Sequence, residues 1–295
     1  MREASKAPIT LPGSAQYDLV NPATHLKYRI QISWPLNWAN TKEIRNDVPI
    51  LYVLDGTALF LSASEVLWRR GTSSDSGTCG IIVAIGYQNV PTPTGSLFGS
   101  QRNFDLTLPH LGEPPDGLGG ADSFLDFLAQ RVKPLVRREF SRITFGNEAI
   151  FGHSFGGLCV LHALFTRDGM FDMYFAASPS IWWDETILKE EQQFKRHKKL
   201  NEDEKRCFLE LSYGVLEQQP ERLVGEPARD FEERKKRCTE RAMGGNAVSM
   251  HKRLIESGQL QEVCLKAFED EDHGTVVTCA LLKAVTKVFG RPILS

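Results

Sequence analysis

The chain has 295 residues, 41% of them hydrophobic and 24% charged, and its formal net charge at pH 7 is −2. This length suits one large α/β domain with a sizeable core. The near-neutral charge gives no reason to expect nucleic acid or an anionic membrane as a partner, and it favours a small-molecule ligand.

No apolar stretch reaches the length of a membrane span, and no hydrophobic signal core follows residues 1–6. We therefore expect a cytoplasmic protein. Residues 1–14 contain two prolines and one glycine without hydrophobic periodicity, which is typical of a flexible lead. Residues 15–295 are predicted to form a single domain.

The predicted elements begin with a hairpin. Residues 17–20 and 26–34 flank a turn at 21–24, and the second arm alternates apolar and polar side chains. We expect this hairpin at the edge of a sheet. The runs at 48–54 and 80–86 are almost wholly apolar, as strands of a parallel sheet are when helices cover both faces.

The rest of the chain continues to alternate strands and helices. Further strands are predicted at 173–178, 207–212 and 263–268, and further helices at 58–70, 121–140 and 275–289. In the helix at 121–140, Asp122 or Ser123 is the expected cap and Pro134 the expected kink. This alternation predicts an α/β fold with a mostly parallel central sheet flanked by helices.

Residues 87–120 form a long segment with almost no periodicity. They contain five prolines and six glycines, and such loops inside compact domains are usually lids or binding walls. Because the segment leaves the carboxyl end of a strand, we expect it to overhang that edge of the sheet as an irregular, lid-like loop. Arg102 is its only cation. Arg102 is either a solvated surface residue or, as we predict, a contact for a substrate carbonyl.

A strand, a tight turn and a helix are predicted around Ser154. The apolar run at 149–151 leads into Gly152-His153-Ser154-Phe155-Gly156, and residues 157–165 have the composition of a buried helix. A serine on such a turn is lifted out of the sheet in strained backbone geometry. Gly-Ser strings also occur as plain turns, but this context predicts a nucleophile. We expect a Cβ at Gly152 or Gly156 to collide with the neighbouring strand and helix.

Two amides are candidates for an oxyanion hole. The amide of Phe155 opens the predicted helix, where unpaired N–H groups and the helix dipole favour negative charge. The loop Asp55-Gly56-Thr57 follows the strand at 48–54 and lies beside the serine turn in this architecture, so Gly56 or Thr57 is the second candidate. A turn alone also explains the glycine.

A nucleophilic serine needs a general base and a carboxylate that orients the base, and this fold supplies them in the order serine, acid, histidine. His162, His197 and His251 lie in predicted helical segments, whereas His273 follows the last predicted strand. We therefore assign His273 as the base. His153, next to the serine, is interpreted as structural.

The acid is expected in the loop after the strand at 207–212. Glu217 is the first carboxylate there and Glu221 the second, while Glu210 lies inside the strand. Glu217 is the predicted acid.

Two tryptophans, Trp182 and Trp183, stand at the mouth of the strand at 173–178. They form either a pocket wall or a hydrophobic plug under a loop. Tandem tryptophans at this edge favour a wall that contacts substrate.

Six cysteines are scattered along the chain without C-x-x-C spacing. They are Cys79, Cys159, Cys207, Cys238, Cys264 and Cys279. Most lie in apolar runs, so we interpret them as buried free thiols and expect neither a metal site nor a cofactor.

Five segments together resemble one family of enzymes. They are Tyr-Val-Leu-Asp-Gly at 52–56, Arg-Asn-Phe-Asp-Leu-Thr-Leu-Pro at 102–109, Gly-His-Ser-Phe-Gly-Gly at 152–157, Ser-Pro-Ser-Ile-Trp-Trp-Asp at 178–184 and His-Gly at 273–274. They are similar to the putative esterase family of α/β-hydrolases, especially its fungal cytoplasmic siderophore esterases acting on fusarinine-type hydroxamates. The resemblance implies a single α/β-hydrolase domain with Ser154, Glu217 and His273 as its catalytic triad.

The function implied is hydrolysis of ester bonds in a ferric hydroxamate siderophore, such as triacetylfusarinine C, through an acyl-enzyme, with release of iron inside the cell. The alternatives are a short-acyl carboxylesterase, a thioesterase similar to S-formylglutathione hydrolase, and an inactive binding protein with a hydrolase fold. A long lid and two tryptophans favour the bulky siderophore.

Charge around the pocket bears on the type of siderophore. The segments at 185–206 and 229–241 mix basic with acidic residues and are predicted to be solvated helical faces. No arginine cluster is apparent near the pocket, in contrast to the bacterial catecholate branch of the family. The loop at 87–120 offers Arg102 against Asp105, Glu113 and Asp116, so its local charge is negative. We therefore predict a preference for a neutral ferric hydroxamate over an anionic ferric catecholate.

Overall fold

A computed structural model describes residues 8–72, 79–88, 90, 96–109, 117–196 and 207–290. It contains an eight-stranded sheet with the order β1-β2-β4-β3-β5-β6-β7-β8. The strands are β1 (Ser14–Val20), β2 (Lys27–Ser33), β3 (Arg45–Val53), β4 (Ile81–Tyr87), β5 (Ile143–His153), β6 (Met173–Ala177), β7 (Phe208–Gly214) and β8 (Glu262–Phe268). The predictions for residues 1–7, for His197 and for parts of 87–120 lie outside the described residues.

The sheet is mixed in the way that the sequence predicts. β1 and β2 form an antiparallel hairpin at one edge, with Ser14 opposite Ser33, and β2 pairs antiparallel with β4. From β4 to β8 every neighbouring pair is parallel. The carboxyl ends of the parallel strands therefore meet at one edge, where loops collect functional side chains. The predicted α/β class is confirmed.

Both faces of the central strands are buried, which explains their continuous apolar runs. Leu51 and Val53 of β3 pack into one hydrophobic core, while Ile50 and Tyr52 of the same strand pack into a second core on the other face. Successive side chains of a strand point to opposite faces, so a strand between two cores needs an apolar residue at every position.

Nine α-helices are described in these ranges. They are α1 (Gly56–Gly71), α2 (Gln101–Leu106), α3 (Ala121–Phe127), α4 (Lys133–Glu139), α5 (Phe155–Thr166), α6 (Thr186–Arg196), α7 (Ala228–Arg241), α8 (Met243–Ser257) and α9 (Val276–Phe289). Helices α1 and α9 cover one face of the sheet, and α5 covers the other together with the α3–α4 segment. None of the helices described is long and apolar enough to cross a membrane.

The helix predicted at 121–140 is interrupted rather than simply kinked. A π-helical turn over Leu128–Val132 separates α3 from α4, and Pro134 lies in the first turn of α4. Proline has no N–H to continue the ladder and its ring crowds the preceding turn, so the wider π turn accommodates it. The predicted cap is wrong: Gly120 occupies the N-cap position, and Asp122 lies within the first turn.

The segment at 87–120 is not irregular throughout, because it contains α2. Tertiary contacts hold this six-residue helix: Asp105 accepts a hydrogen bond from the Tyr28 hydroxyl at 2.8 Å, and the amide of Gly120 donates to the Phe104 carbonyl at 2.8 Å. A helix this short is not stable alone and leaves no readable periodicity, which is why the sequence did not predict it.

The interpretation of the cysteines as buried thiols holds for one of six. All six are free thiols, but Cys159 alone is fully buried and the others are partly exposed. Cys159 lies in α5, which is covered on nearly all sides. The remaining five lie near edges or ends of elements, for example Cys264 on the outermost strand β8.

Candidate active site

Ser154 lies on a sharp turn between β5 and α5. Its backbone has φ 58° and ψ −116°, an unfavourable conformation for a residue with a side chain. The amide of Ser154 donates to the Ala177 carbonyl at 3.0 Å, which fixes the turn to the end of β6. The strained turn predicted for this serine is therefore present.

The glycines around Ser154 have different roles from those expected. A Cβ at Gly152 would fall on the backbone of Gly156, so the collision predicted there is correct. A Cβ at Gly156 would meet its nearest neighbour, Asp55 Oδ2, at an ordinary 3.5 Å, so the collision predicted at Gly156 is wrong. Gly157 is the tighter position, since its Cβ would lie 3.0 Å from the Ala177 carbonyl oxygen.

The structure brings Ser154, His273 and Glu217 together. His273 Nε2 lies 3.1 Å from Ser154 Oγ, and His273 Nδ1 lies 2.8 Å from Glu217 Oε2. Glu217 ends a 3₁₀ turn that directly follows β7, and His273 lies in the loop between β8 and α9. The side chain of Glu217 is 1% exposed, whereas that of His273 is 40% exposed. The arrangement has the geometry of a nucleophile, a base and an orienting acid.

The carboxylate of Glu217 has further donors that the sequence analysis missed. Its Oε1 accepts hydrogen bonds from the Gly214 amide at 2.8 Å and from the Ser178 hydroxyl. Because a buried carboxylate needs such donors to stay charged, these contacts complete the acid's environment. The sequence feature that could have indicated this contact is Ser178 itself, a polar residue at the end of a buried strand.

The two other candidate acids are engaged elsewhere. Glu210 is buried in β7 and pairs with Lys266 of β8. Glu221 is exposed. Neither has a hydrogen bond to His273 among the described residues, so Glu217 is the carboxylate that the geometry selects.

His153 lies next to Ser154 and His273 as a buried neutral ring. Its centroid is 4.6 Å from that of His273. Burial, together with the nearby His273 and Arg102, holds the pKa of His153 well below its usual range. A neutral ring adds no positive charge next to His273, which fits the structural role expected for His153.

The two amides predicted to bind the oxyanion belong to residues that each begin a helix, and the two helices follow neighbouring strands. Phe155 begins α5 and Gly56 begins α1, and the Leu54 amide donates to the Phe151 carbonyl at 3.0 Å where β3 runs beside β5. Gly56 also has a packing reason to be glycine, because a Cβ there would lie 2.7 Å from the backbone of Ala84. Both amides thus lie at the same edge of the sheet.

Arg102 is held in a buried ion pair rather than free in a loop. Its Nε and Nη2 donate to the two carboxylate oxygens of Asp55 at 2.8 and 2.9 Å, and Nη2 also reaches the His153 carbonyl at 3.4 Å. The arginine side chain is 11% exposed. This bidentate ion pair links α2 to the loop after β3. The contact with the His153 carbonyl links α2 to the turn that carries Ser154.

The tandem tryptophans lie beside the nucleophile turn. The ring of Trp183 packs edge-on against Phe155, with centroids 4.7 Å apart, and the two indoles are 5.5 Å apart. Trp183 is 36% exposed, so it faces open space rather than plugging a core. The guanidinium of Arg241 lies 4.9 Å above the Trp182 ring.

A cavity of about 340 Å³ adjoins Glu217 and His273. One of its walls is α7, which contributes Arg234, Arg237 and Arg241. The expectation of no arginine cluster near the pocket is therefore wrong. The three arginines recur at helical spacing and share one face. The acidic residues elsewhere on α7, such as Glu232, Glu233 and Glu240, make the local charge mixed and hide this face in the sequence.

The three arginines differ in how far their charge is neutralised. Arg234 pairs with Glu226 at 2.7 Å. Arg237 is exposed and has no ion pair or hydrogen bond with any residue that the structure describes. Arg237 therefore presents to the cavity, which Glu217 and Asp272 also line, a positive charge without a direct ion-pair partner in the described part of the chain.

Comparison with known proteins defines the class. The sequence profile of the family described as putative esterase matches residues 22–219. The chain is 41% identical over 284 residues to the siderophore triacetylfusarinine C esterase of Aspergillus fumigatus, covering 96% of this chain and 95% of that protein. It is 41% identical over 267 residues to the siderophore enterobactin esterase of Emericella nidulans, covering 86% of each chain.

A solved structure agrees with these sequence relatives. Siderophore hydrolase EstB from Aspergillus nidulans superimposes with a TM-score of 0.91 at 41% identity, covering 99% of this chain and 100% of that chain. The chain therefore belongs to the putative esterase family. It is a carboxylic ester hydrolase.

Proposed function

We propose that this protein hydrolyses ester bonds of a ferric siderophore through an acyl-enzyme, with Ser154 as nucleophile, His273 as base and Glu217 as acid. The observation that carries the proposal is the continuous set of contacts from Ser154 Oγ to His273 at 3.1 Å and from His273 to Glu217 at 2.8 Å. The full-length similarity to siderophore esterases supports the substrate class.

In the first half of the reaction, His273 takes the proton of Ser154 as Oγ attacks the ester carbonyl. The amide of Phe155, with that of Gly56 as the second donor, stabilises the oxyanion of the tetrahedral intermediate. His273 then gives the proton to the leaving alkoxide, which departs as an alcohol. Water attacks the acyl-enzyme in the second half by the same steps and releases a carboxylic acid.

Opening the ester weakens iron binding for a physical reason. In an intact siderophore the chelating groups are linked, so each one binds at the high effective concentration set by the others. Cleaving the linkage removes that advantage. Because the released iron is used inside the cell, we propose a cytoplasmic location.

The first candidate substrate is a ferric hydroxamate ester of the triacetylfusarinine C type. The similarity that covers the largest share of this chain among the curated relatives described above is to an esterase of that siderophore. Trp182 and Trp183 supply an apolar wall for a bulky complex, and Arg102 retains donors for a substrate carbonyl.

The second candidate is an anionic ferric catecholate, and Arg237 is the observation that favours it. Three singly charged hydroxamates cancel the charge of a ferric ion, whereas three doubly charged catecholates leave the complex strongly negative. An arginine at the cavity attracts the negative complex only. The equal identity to an enterobactin esterase is in line with this candidate.

Hydrolysis of both ferric complexes by the purified protein, followed by mass spectrometry at low and high ionic strength, separates these candidates. Faster, salt-insensitive opening of the hydroxamate supports the first, and faster, salt-sensitive opening of the catecholate supports the second. The proposed function fails if neither complex is opened while a small phenyl ester is.

A further inference from the structure

The segment Ser178-Pro179-Ser180 brings a second hydroxyl to the nucleophile. Ser180 Oγ lies 3.3 Å from Ser154 Oγ, and the Ser180 amide donates to the Ser154 carbonyl at 3.1 Å. Ser180 is only 2% exposed. A buried hydroxyl is retained where it makes a hydrogen bond, and here its partner is the proposed reacting atom.

The direction of this hydrogen bond follows from the single proton of Ser154. In the attacking arrangement that proton points at His273 Nε2, 3.1 Å away. Ser154 Oγ can then only accept from Ser180. We propose that Ser180 is a further catalytic residue, which donates a hydrogen bond to the nucleophilic oxygen; this inference rests on the proposed role of Ser154.

The hydrogen bond from Ser180 to Ser154 becomes stronger in the transition state. As His273 removes the proton, negative charge grows on Ser154 Oγ, and the bond from Ser180 becomes charge-assisted. An interaction that is stronger in the transition state than in the ground state raises the rate of the chemical step. When the acyl-enzyme breaks down, the same oxygen leaves with negative charge and regains its proton from His273. Ser180 keeps its own proton throughout.

The backbone around Ser180 is fixed, so the hydroxyl is preorganised. The Trp183 amide donates to the Ser180 carbonyl at 3.0 Å, and the Ile181 amide donates to the Pro179 carbonyl at 2.8 Å. A Cβ on Gly157 would lie 3.0 Å from Pro179 Cα, so the segment packs tightly against the start of α5. Because the Ser180 hydroxyl is already held in place, little conformational entropy is lost when its hydrogen bond to Ser154 strengthens.

The test measures the nucleophilicity of Ser154 separately from substrate binding. Wild type and Ser180→Ala are treated with a fluorophosphonate, and the rate of covalent labelling at Ser154 is followed by mass spectrometry. We expect labelling to slow about 10-fold, the effect of losing one hydrogen bond to a developing charge. The kcat for a small phenyl ester should fall by a similar factor with little change in KM.

Ser212→Ala is the matched control. It removes a buried hydroxyl at the end of β7 that has no hydrogen bond to a triad member among the described residues. This variant should label at the wild-type rate. Ser180→Cys keeps the volume but donates a weak hydrogen bond, so it should be slow like Ser180→Ala even if the alanine variant folds poorly.

The results distinguish a failure of the role of Ser180 from a failure of the proposed triad. Wild-type labelling and turnover in both Ser180 variants would overturn the role of Ser180 and leave the triad intact. A labelled residue other than Ser154 in the wild type would overturn the triad itself. A raised KM with unchanged labelling would show that Ser180 shapes the pocket, which also contradicts the inference.

Discussion

The turn that carries Ser154 and the helix α7, which forms one wall of the cavity, are held in place by different kinds of contact. The turn that carries Ser154 is set by packing: Gly152 lies against Gly156, and residues 148–153 of β5 and 156–165 of α5 are buried. α7 has no buried residue and is placed by polar contacts, such as the pair of Arg234 with Glu226. Packing fixes positions sharply, whereas exposed ion pairs contribute little energy. The proposed nucleophile therefore lies on the tightly packed part of the site, and Arg237 lies on the part held by polar contacts.

The largest expected effect comes from removing Ser154 or His273. Ser154→Ala and His273→Ala should each reduce kcat by about 10⁴-fold or more, because residues that act as a unit lose nearly everything together. Steady-state kinetics with a ferric siderophore provides the measurement. Melting temperatures close to wild type would establish that the fold is intact. Wild-type turnover in Ser154→Ala would disprove the nucleophile assignment.

A smaller loss is expected from the acid. Glu217→Gln keeps the shape of the side chain but cannot stabilise a protonated His273, so kcat should fall by about 100-fold or more. Glu221→Gln is the matched control, because Glu221 is exposed, and it should retain wild-type activity. Loss of activity in Glu221→Gln together with wild-type activity in Glu217→Gln would show that Glu221, not Glu217, is the acid.

Changes on α7 should alter substrate selectivity and leave the chemistry unchanged. Arg237→Ala should raise KM for an anionic ferric catecholate about 5-fold at low salt, since an exposed charge contributes about 1 kcal/mol. The kcat for a small neutral ester should be unaffected. Lys236→Ala on the same helix is the control, because Lys236 pairs with Glu240. Equal effects of both substitutions would mean that net charge, not position, matters.

The smallest effect on activity is expected from His162, which contributes to stability. Burial alone would lower the pKa of His162, but hydrogen bonds to Asp122 and Glu190 raise it from 6.5 to about 9. A raised folded-state pKa gives stability that is complete below the unfolded pKa and lost as the pH rises through the folded one. The free energy of unfolding should therefore fall by about 3 kcal/mol between pH 6.5 and 9.

Denaturant titrations across this pH range measure the His162 effect. His162→Gln should remove most of the pH dependence, while His251→Gln on α8 should leave it unchanged. A wild-type stability that is flat over the range would contradict the ion-paired state of His162.

The sequence predicted that Ser154, His273 and Glu217 lie together, but it did not predict the arginines of α7 at the cavity. The run from 149 to 165 carries strand, turn and helix signals that agree with one another, so the position of Ser154 follows from local rules. His273 and Glu217 follow from strand order. Arg237 could not be placed, because an exposed helix has no hydrophobic face that sets its docking. The ion pair of Arg102 with Asp55 joins residues that are far apart in sequence and leaves no local pattern.

The position of β8 has a consequence for how the enzyme fails on heating. This strand is outermost in the sheet, none of its residues is fully buried, and His273 lies in the loop that follows it. The proposed nucleophile, Ser154, follows a central strand, whereas the proposed base, His273, follows the edge strand. Local opening starts where few apolar contacts must be broken. Activity should therefore disappear at a lower temperature than the far-ultraviolet circular dichroism signal, and recover on rapid cooling.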